Sequence, residues 1–184
     1  MARALAHGLA TATLSIALAW AGAAHAEGGI EKFFGTFAGK GVAHHQEGEA
    51  SERDMSVQIQ PAEKGFTLEW TTVTGRAEGT PKSKNYRIRF LPTERDNVYS
   101  SGMRTNMFGR AVPMDPLKGD PYVWAIVQDD VLKVYVMEIT EAFGYEMQVY
   151  ERRLTEGGMT VKFSRVRNGE RMRDVEADLV RVPG

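Results

Sequence analysis

The chain has 184 residues, with 23 Lys plus Arg against 24 Asp plus Glu, 42% hydrophobic residues and no cysteine. Near-balanced charge offers nucleic acid no overall attraction, because that ligand rewards a basic surface, so no nucleic-acid partner is expected. Without cysteine, disulfides, thiol catalysis and Cys-ligated zinc are excluded, and a hydrophobic core must hold the fold by itself.

The N-terminus reads as a cleavable export signal. Arg3 supplies a positive charge, residues 9 to 20 form a mostly apolar run, and Ala24, His25 and Ala26 give the small-x-small pattern that signal peptidase reads. Thr11, Thr13 and Ser15 interrupt the run, which is also shorter than the roughly 20 apolar residues a spanning helix needs. Residues 1 to 26 are therefore expected to be removed, leaving a single domain over residues 27 to 184. Loss of Arg3 brings its net charge to about −2. A lipid anchor would require a cysteine at the new N-terminus, so a periplasmic location is expected.

Beyond Glu27 the dominant signal is alternation of apolar and polar residues with period two, as in half-buried strands. A first strand is expected over residues 33 to 43. Met55, Val57 and Ile59 then alternate with polar neighbours, and after a turn at 61 to 65 so do Phe66, Leu68 and Trp70, which together read as a hairpin. Tyr86, Ile88 and Phe90 face one way and Arg87 and Arg89 the other, before a turn at 92 to 97 and a weak strand at 98 to 101. Residues 122 to 127 are apolar on both faces, Asp129 and Asp130 make a tight turn, and a strand at Val131–Ile139 follows.

Farther along, Phe143, Tyr145, Met147 and Val149 alternate with Glu146 and Gln148, Gly157 and Gly158 turn the chain, and Met159, Val161 and Phe163 form the next apolar face. Asn168-Gly169 is the strongest hairpin signal, because a type I′ turn needs positive φ at both central positions. The last strand sets Val175, Ala177 and Leu179 against Asp174, Glu176 and Asp178. The fold class expected is all-β, an antiparallel up-and-down meander of about ten strands, closed into a barrel because closure removes exposed edges.

Phe34 to Gly41, read as Phe-Gly-Thr-Phe-Ala-Gly-Lys-Gly, resembles the opening of the calycin superfamily of lipocalins, fatty-acid-binding proteins and nitrobindin-like barrels. Those chains open with an aromatic residue and Gly-x-Trp, or with Gly-Thr-Trp-x-Gly-x-Gly; here Phe37 stands in place of the Trp. The resemblance implies a barrel holding a small hydrophobic or amphipathic ligand such as a lipid, fatty acid or pigment. It also implies that an Arg of the last strand, Arg173 or Arg181, packs on Phe37. Nitrobindin-like barrels hold haem through a C-terminal histidine, but no histidine follows His45, so no cofactor is carried over.

The cavity lining expected from these faces includes Phe37, Phe66, Trp70, Tyr86, Phe90, Trp124, Tyr135, Met147 and Phe163. Residues 101 to 119 form a segment too long for a hairpin turn and too apolar for a solvated loop. Met103, Met107 and Phe108 there are candidates for a lid, against the alternative of a loop simply packed on the barrel end. Lys133 and Arg165 interrupt the apolar faces; either could meet a ligand carboxylate, or snorkel to water from a strand end.

His44 and His45 point to opposite faces and cannot share one metal, and no metal site is expected. No Gly-x-Ser-x-Gly elbow, His-Glu-x-x-His or phosphate-binding glycine loop occurs. Two other readings stay open: a calycin-fold enzyme, isomerase or hydrolase, with an inward carboxylate or Tyr of shifted pKa, and a small outer-membrane barrel with its apolar face outward. N-terminal sequencing of the exported protein is expected to begin at Glu27; a first residue before Ala24 would count against the leader.

Overall fold

The computed structural model describes residues 29–45, 48, 50–75, 80–102, 104–105, 111–112 and 114–183. The expected leader lies outside the described residues, as do Met103, Met107 and Phe108. The strands in chain order are β1 (Gly35–His45), β2 (Ala50–Pro61), β3 (Phe66–Thr74), β4 (Lys82–Pro92), β5 (Val98–Ser101), β6 (Arg104–Thr105) and β7 (Ala111–Val112). They continue as β8 (Tyr122–Gln128), β9 (Val131–Ile139), β10 (Tyr145–Thr155), β11 (Gly158–Arg167) and β12 (Glu170–Val182). Ten of them close into an antiparallel up-and-down barrel: each pairs with its chain neighbour, β5 pairs with β8, and β12 pairs with β1. β6 and β7 pair only with each other, and a 3-10 helix at Pro116–Lys118 follows them.

The turns follow from local chemistry. Asn168 and Gly169 hold φ of 51° and 87°, as a type I′ turn demands, and Asp129 turns the β8–β9 hairpin at φ 47°. Gly65 has φ 76°, and a Cβ there would run into the Phe90 carbonyl oxygen, so the β2–β3 turn needs glycine twice over. The β10–β11 turn falls on Glu156 and Gly157, one residue earlier than the glycine pair suggests, and Gly158 already belongs to β11. The expected first strand starts two residues late, because Ile30–Phe33 forms a 3-10 helix instead.

That helix plugs one end of the barrel. Ile30 and Phe33 are buried there with Phe37, Ile59, Phe66, Leu68, Phe90, Leu132, Val134, Met159 and Leu179. Phe66 stacks on Phe90 at 5.0 Å and takes the edge of Tyr99 at 5.0 Å. Arg181 lays its guanidinium 4.5 Å from the Phe37 ring centre, and its Nη1 donates to the Phe34 carbonyl at 2.7 Å. Of the two arginines offered by the calycin resemblance, Arg181 is the one on Phe37.

The outward residues of most strands are polar or charged, and they pair across strands, as in Lys162–Glu176 at 3.3 Å and Lys133–Glu151 at 3.1 Å. Each such pair adds little to stability; burial at the plugged end carries the fold. Phe66→Ala should therefore cost roughly 3–5 kcal/mol in urea melts. Val180→Ser, on the exposed face of β12, should stay within about 0.5 kcal/mol of the parent.

Candidate functional site

Among the described residues, none fills the opposite end of the barrel. A cavity of about 560 Å³ opens there, and its lining comes from the inward positions of β2, β3, β4, β9, β10, β11 and β12. Met55, Val57 and Val161 form apolar floor, and aromatic rings form two walls. Trp70 stacks on Tyr86 at 5.1 Å and 20°, and Tyr150 meets Phe163 at 4.7 Å and Trp70 at 5.2 Å. Among the described residues, β4 pairs with β5 only through Phe90, Leu91 and Pro92, with one further bond from Gly102 N–H to the Arg89 carbonyl at 2.7 Å. Lys82, Lys84 and Tyr86 consequently sit exposed at a rim.

Arg152 is the anomaly of the site. Its side chain is 1% exposed, yet its Nε and Nη1 find no hydrogen-bond partner among the described residues. The guanidinium lies 5.3 Å from the Trp70 ring centre and 5.6 Å from that of Tyr150, so aromatic faces offset part of its desolvation. Burial pulls its pKa down to about 10, with Tyr150 acting weakly in the other direction. Arg53 and Arg173 also line the cavity, and each has a buried Nε with no partner among the described residues. Burial, and then the nearby Arg173 charge, lower the pKa of Arg53. Arg173 lies over Phe163 at 5.2 Å, and Arg53 Nη2 donates to Ser51 Oγ at 3.0 Å.

Glu146 organises the remaining polar groups. Arg165 binds it with both arms, Nε to Oε1 at 2.7 Å and Nη2 to Oε2 at 2.6 Å. Arg167 donates to Oε2 at 3.1 and 2.8 Å. Gln148 donates to Oε1 at 2.8 Å and accepts from the Tyr150 hydroxyl at 2.9 Å. Burial works against the Glu146 charge, but the hydrogen bonds from Arg165, Arg167 and Gln148 outweigh it and hold the carboxyl down to about 2. Burial pushes the Tyr150 hydroxyl up to about 12, with the Arg152 charge opposing. Neither group is poised near neutral pH for proton transfer.

The structure places Phe37, Phe66, Trp70, Tyr86, Phe90, Phe163 and Arg165 on the interior. Phe37, Phe66 and Phe90 fill the plugged end, whereas Trp70, Tyr86, Phe163 and Arg165 border the cavity. Four expected lining residues face outward instead. Trp124 and Tyr135 stack on each other outside at 4.9 Å, with Tyr122 beside them at 5.5 Å. Lys133 is on the same face and bridges to Glu151, and Met147 pairs with Met137 there. The reason is register: Ala125 pairs with Val134, and Val134 with Tyr150, so the opposite parity of β8, β9 and β10 faces the core. Among the described residues no group of three or more His, Asp or Glu is placed to hold a metal. His44 is exposed, and the His45 side chain lies outside the description.

The residues missed in the sequence are Arg53, Glu146, Gln148, Tyr150, Arg152 and Arg173. The apolar set Tyr145, Met147 and Val149 masks the four that lie on β10, because a hydrophobic-inside rule selects the wrong face there. The signal that finds them is the two-residue β10–β11 turn. It pairs Thr155 with Gly158 and so sets Tyr150 opposite Phe163.

No family model matches the chain, and no curated protein matches it. Among solved structures it is similar to the S-type phycobiliprotein lyase CPES from Guillardia theta, with 9% sequence identity, 85% of this chain and 94% of that chain covered, and a TM-score of 0.38. The closed ring of ten strands is compatible with a calycin-like fold.

Glu146→Gln should destabilise the protein in neutral solution, since it leaves Arg165 and Arg167 without a charged acceptor. The Glu146 carboxyl sits lower in the folded chain than in the unfolded one, so its contribution is complete above about pH 4.5 and is lost as pH falls towards about 2. Denaturant midpoints of parent and variant should converge over that interval; a gap that stays constant would mean the charge is not involved.

Proposed function

We propose that this chain is an exported β-barrel that binds a small amphipathic ligand in its open-end cavity. The observation that carries the reading is a cavity of about 560 Å³ walled by Trp70, Tyr86, Tyr150 and Phe163. Its size falls within the range of small-molecule sites, and its mixture of apolar walls with a few convergent polar groups is what such sites present. An apolar body packs on the rings, and a polar group reaches N–H donors that have no partner among the described residues.

Export rests on the charge, apolar run and Ala24-His25-Ala26 pattern of the leader, with a periplasmic destination. Met103, Met107 and Phe108 are proposed as a cover of the cavity on their sequence alone, an apolar stretch too long for a hairpin turn. Catalysis is the less favoured reading, since Glu146 is saturated by three donors and Tyr150 is pushed away from neutrality. An outer-membrane barrel requires an outward apolar band about 25 Å tall. The outward positions of β1, β2, β11 and β12 instead carry Lys40, Glu52, Asp54, Lys162, Asp174, Glu176 and Asp178.

Delipidated protein titrated with anilinonaphthalene sulfonate should show saturable one-to-one binding, with enhanced probe emission and altered tryptophan emission. Trp70→Ala should weaken that binding by about tenfold or more. Absence of saturable binding to the parent would overturn the cavity reading.

A further inference from the structure

The inventory of charge inside the cavity says more about the ligand than its apolar walls do. Among the described lining residues, six are cationic (Arg53, Lys82, Lys84, Arg152, Arg165 and Arg173) and two are acidic (Glu138 and Glu146). Arg165 is accounted for by its two-armed bond to Glu146, whose single charge also serves Arg167 from outside the lining. Lys82 and Lys84 stand in solvent at the rim, where water screens them.

Three guanidinium groups are left over, Arg53, Arg152 and Arg173, and each keeps at least one buried N–H without an acceptor among the described residues. A buried donor left unpaired is costly, and a buried charge more so unless an opposite charge joins it. One carboxylate would answer one of the three. Aromatic faces accompany two of them, Trp70 and Tyr150 at Arg152 and Phe163 at Arg173, and a planar body is the shape that stacks on such faces.

We propose that the cavity is built for a flat aromatic or conjugated dianion, with Arg53, Arg152 and Arg173 as its charge partners. This rests on the cavity-binding reading and narrows it from amphipathic molecules in general to those with two negative charges on a planar body. The two charges come either from two carboxylates on one body or from one phosphate monoester. Guanidinium groups bind both through their planar fork.

The test uses the delipidated mature protein at mildly alkaline pH and four probes of shared body: a naphthalene dicarboxylate, naphthyl phosphate, naphthoate and the neutral methyl ester of naphthoate. Affinities are read by tryptophan emission and calorimetry. The better dianion should bind about tenfold or more tightly than naphthoate, and naphthoate more tightly than the ester. Which dianion leads distinguishes paired carboxylates from a phosphate.

Arg152→Met should narrow the preference for dianions to within about threefold while raising the denaturant midpoint of the free protein, because an apolar chain of similar length replaces an unpaired buried charge. Arg173→Gln, nearer the mouth, should narrow the same preference, and it supplies the test if the first variant does not fold. Equal affinity of all four probes for the parent would overturn the dianion inference and leave the cavity reading standing. Naphthoate binding as tightly as both dianions, or undiminished preference in a folded variant, would likewise overturn it. No binding of any probe would remove both readings together.

Discussion

The pairing of β1 with β12 is the constraint on which the rest of the molecule depends. Ten residue pairs, from Thr36 with Val182 to His45 with Arg173, join the first strand to the last. Without them the strands would form an open sheet with two exposed edges. The seam closes at Gly39 and Gly41: a Cβ on Gly39 would strike the Asp178 carbonyl oxygen, and one on Gly41 would lie 2.6 Å from the Ala177 Cβ. Arg181 then ties the seam to the end plug, with its charge on Phe37 and its N–H on the carbonyl of Phe34. Once the ring is shut, inside and outside are fixed for every strand, and a slip of one residue would exchange the two faces completely.

Closure divides the interior into two halves with different work. At the plugged end, stacked Phe66 and Phe90, with Phe33, Phe37, Leu68 and Leu132, supply buried apolar surface and thus the stability of the chain. At the open end the same strands present Arg53, Glu146, Arg152 and Arg173, groups that a purely structural core would exclude. Such departures from consistency concentrate where a protein binds something, because selection there acts on the complex as well as on the free chain. The separation also explains how the barrel tolerates unpaired arginines: the half that holds them is not the half that holds the fold.

Much of this architecture is legible in the sequence, and the failures share one cause. Alternation finds β2, β3 and β11 through Met55, Val57 and Ile59, through Phe66, Leu68 and Trp70, and through Met159, Val161 and Phe163, and Asn168-Gly169 marks its turn through the positive φ that such residues tolerate. Alternation decides a face only when the other face is polar, however. β8 and β9 are apolar on both, so Trp124 and Tyr135, which stack outside, read as core. On β10 the contrast is inverted, with Met147 and Val149 outward and Glu146, Gln148 and Arg152 inward. A cavity that recruits polar groups erases the very pattern by which strands are oriented. Register carried across short turns survives that erasure, because it depends on the count of residues and not on their polarity.

The choice of arginine at position 152 bears on what the cavity does. A lysine at the same depth would shed its proton and become a neutral amine, since burial lowers ammonium pKa values by several units. Arg152, even drawn down to about 10, keeps its charge in neutral solution. The Tyr150 ring shields it from water, while the Tyr150 hydroxyl is engaged by Gln148 and Gln148 by Glu146. These bonds hold the hydroxyl towards Gln148 and keep Glu146, the only buried carboxylate among the described residues, occupied with Arg165 and Arg167. The floor of the barrel therefore presents a permanent positive charge that the Glu146 network does not quench. A permanent charge in a preformed site would spare an arriving anion the cost of reorganising its partner, so the expense of burying Arg152, met during folding, would be recovered on binding the proposed dianion.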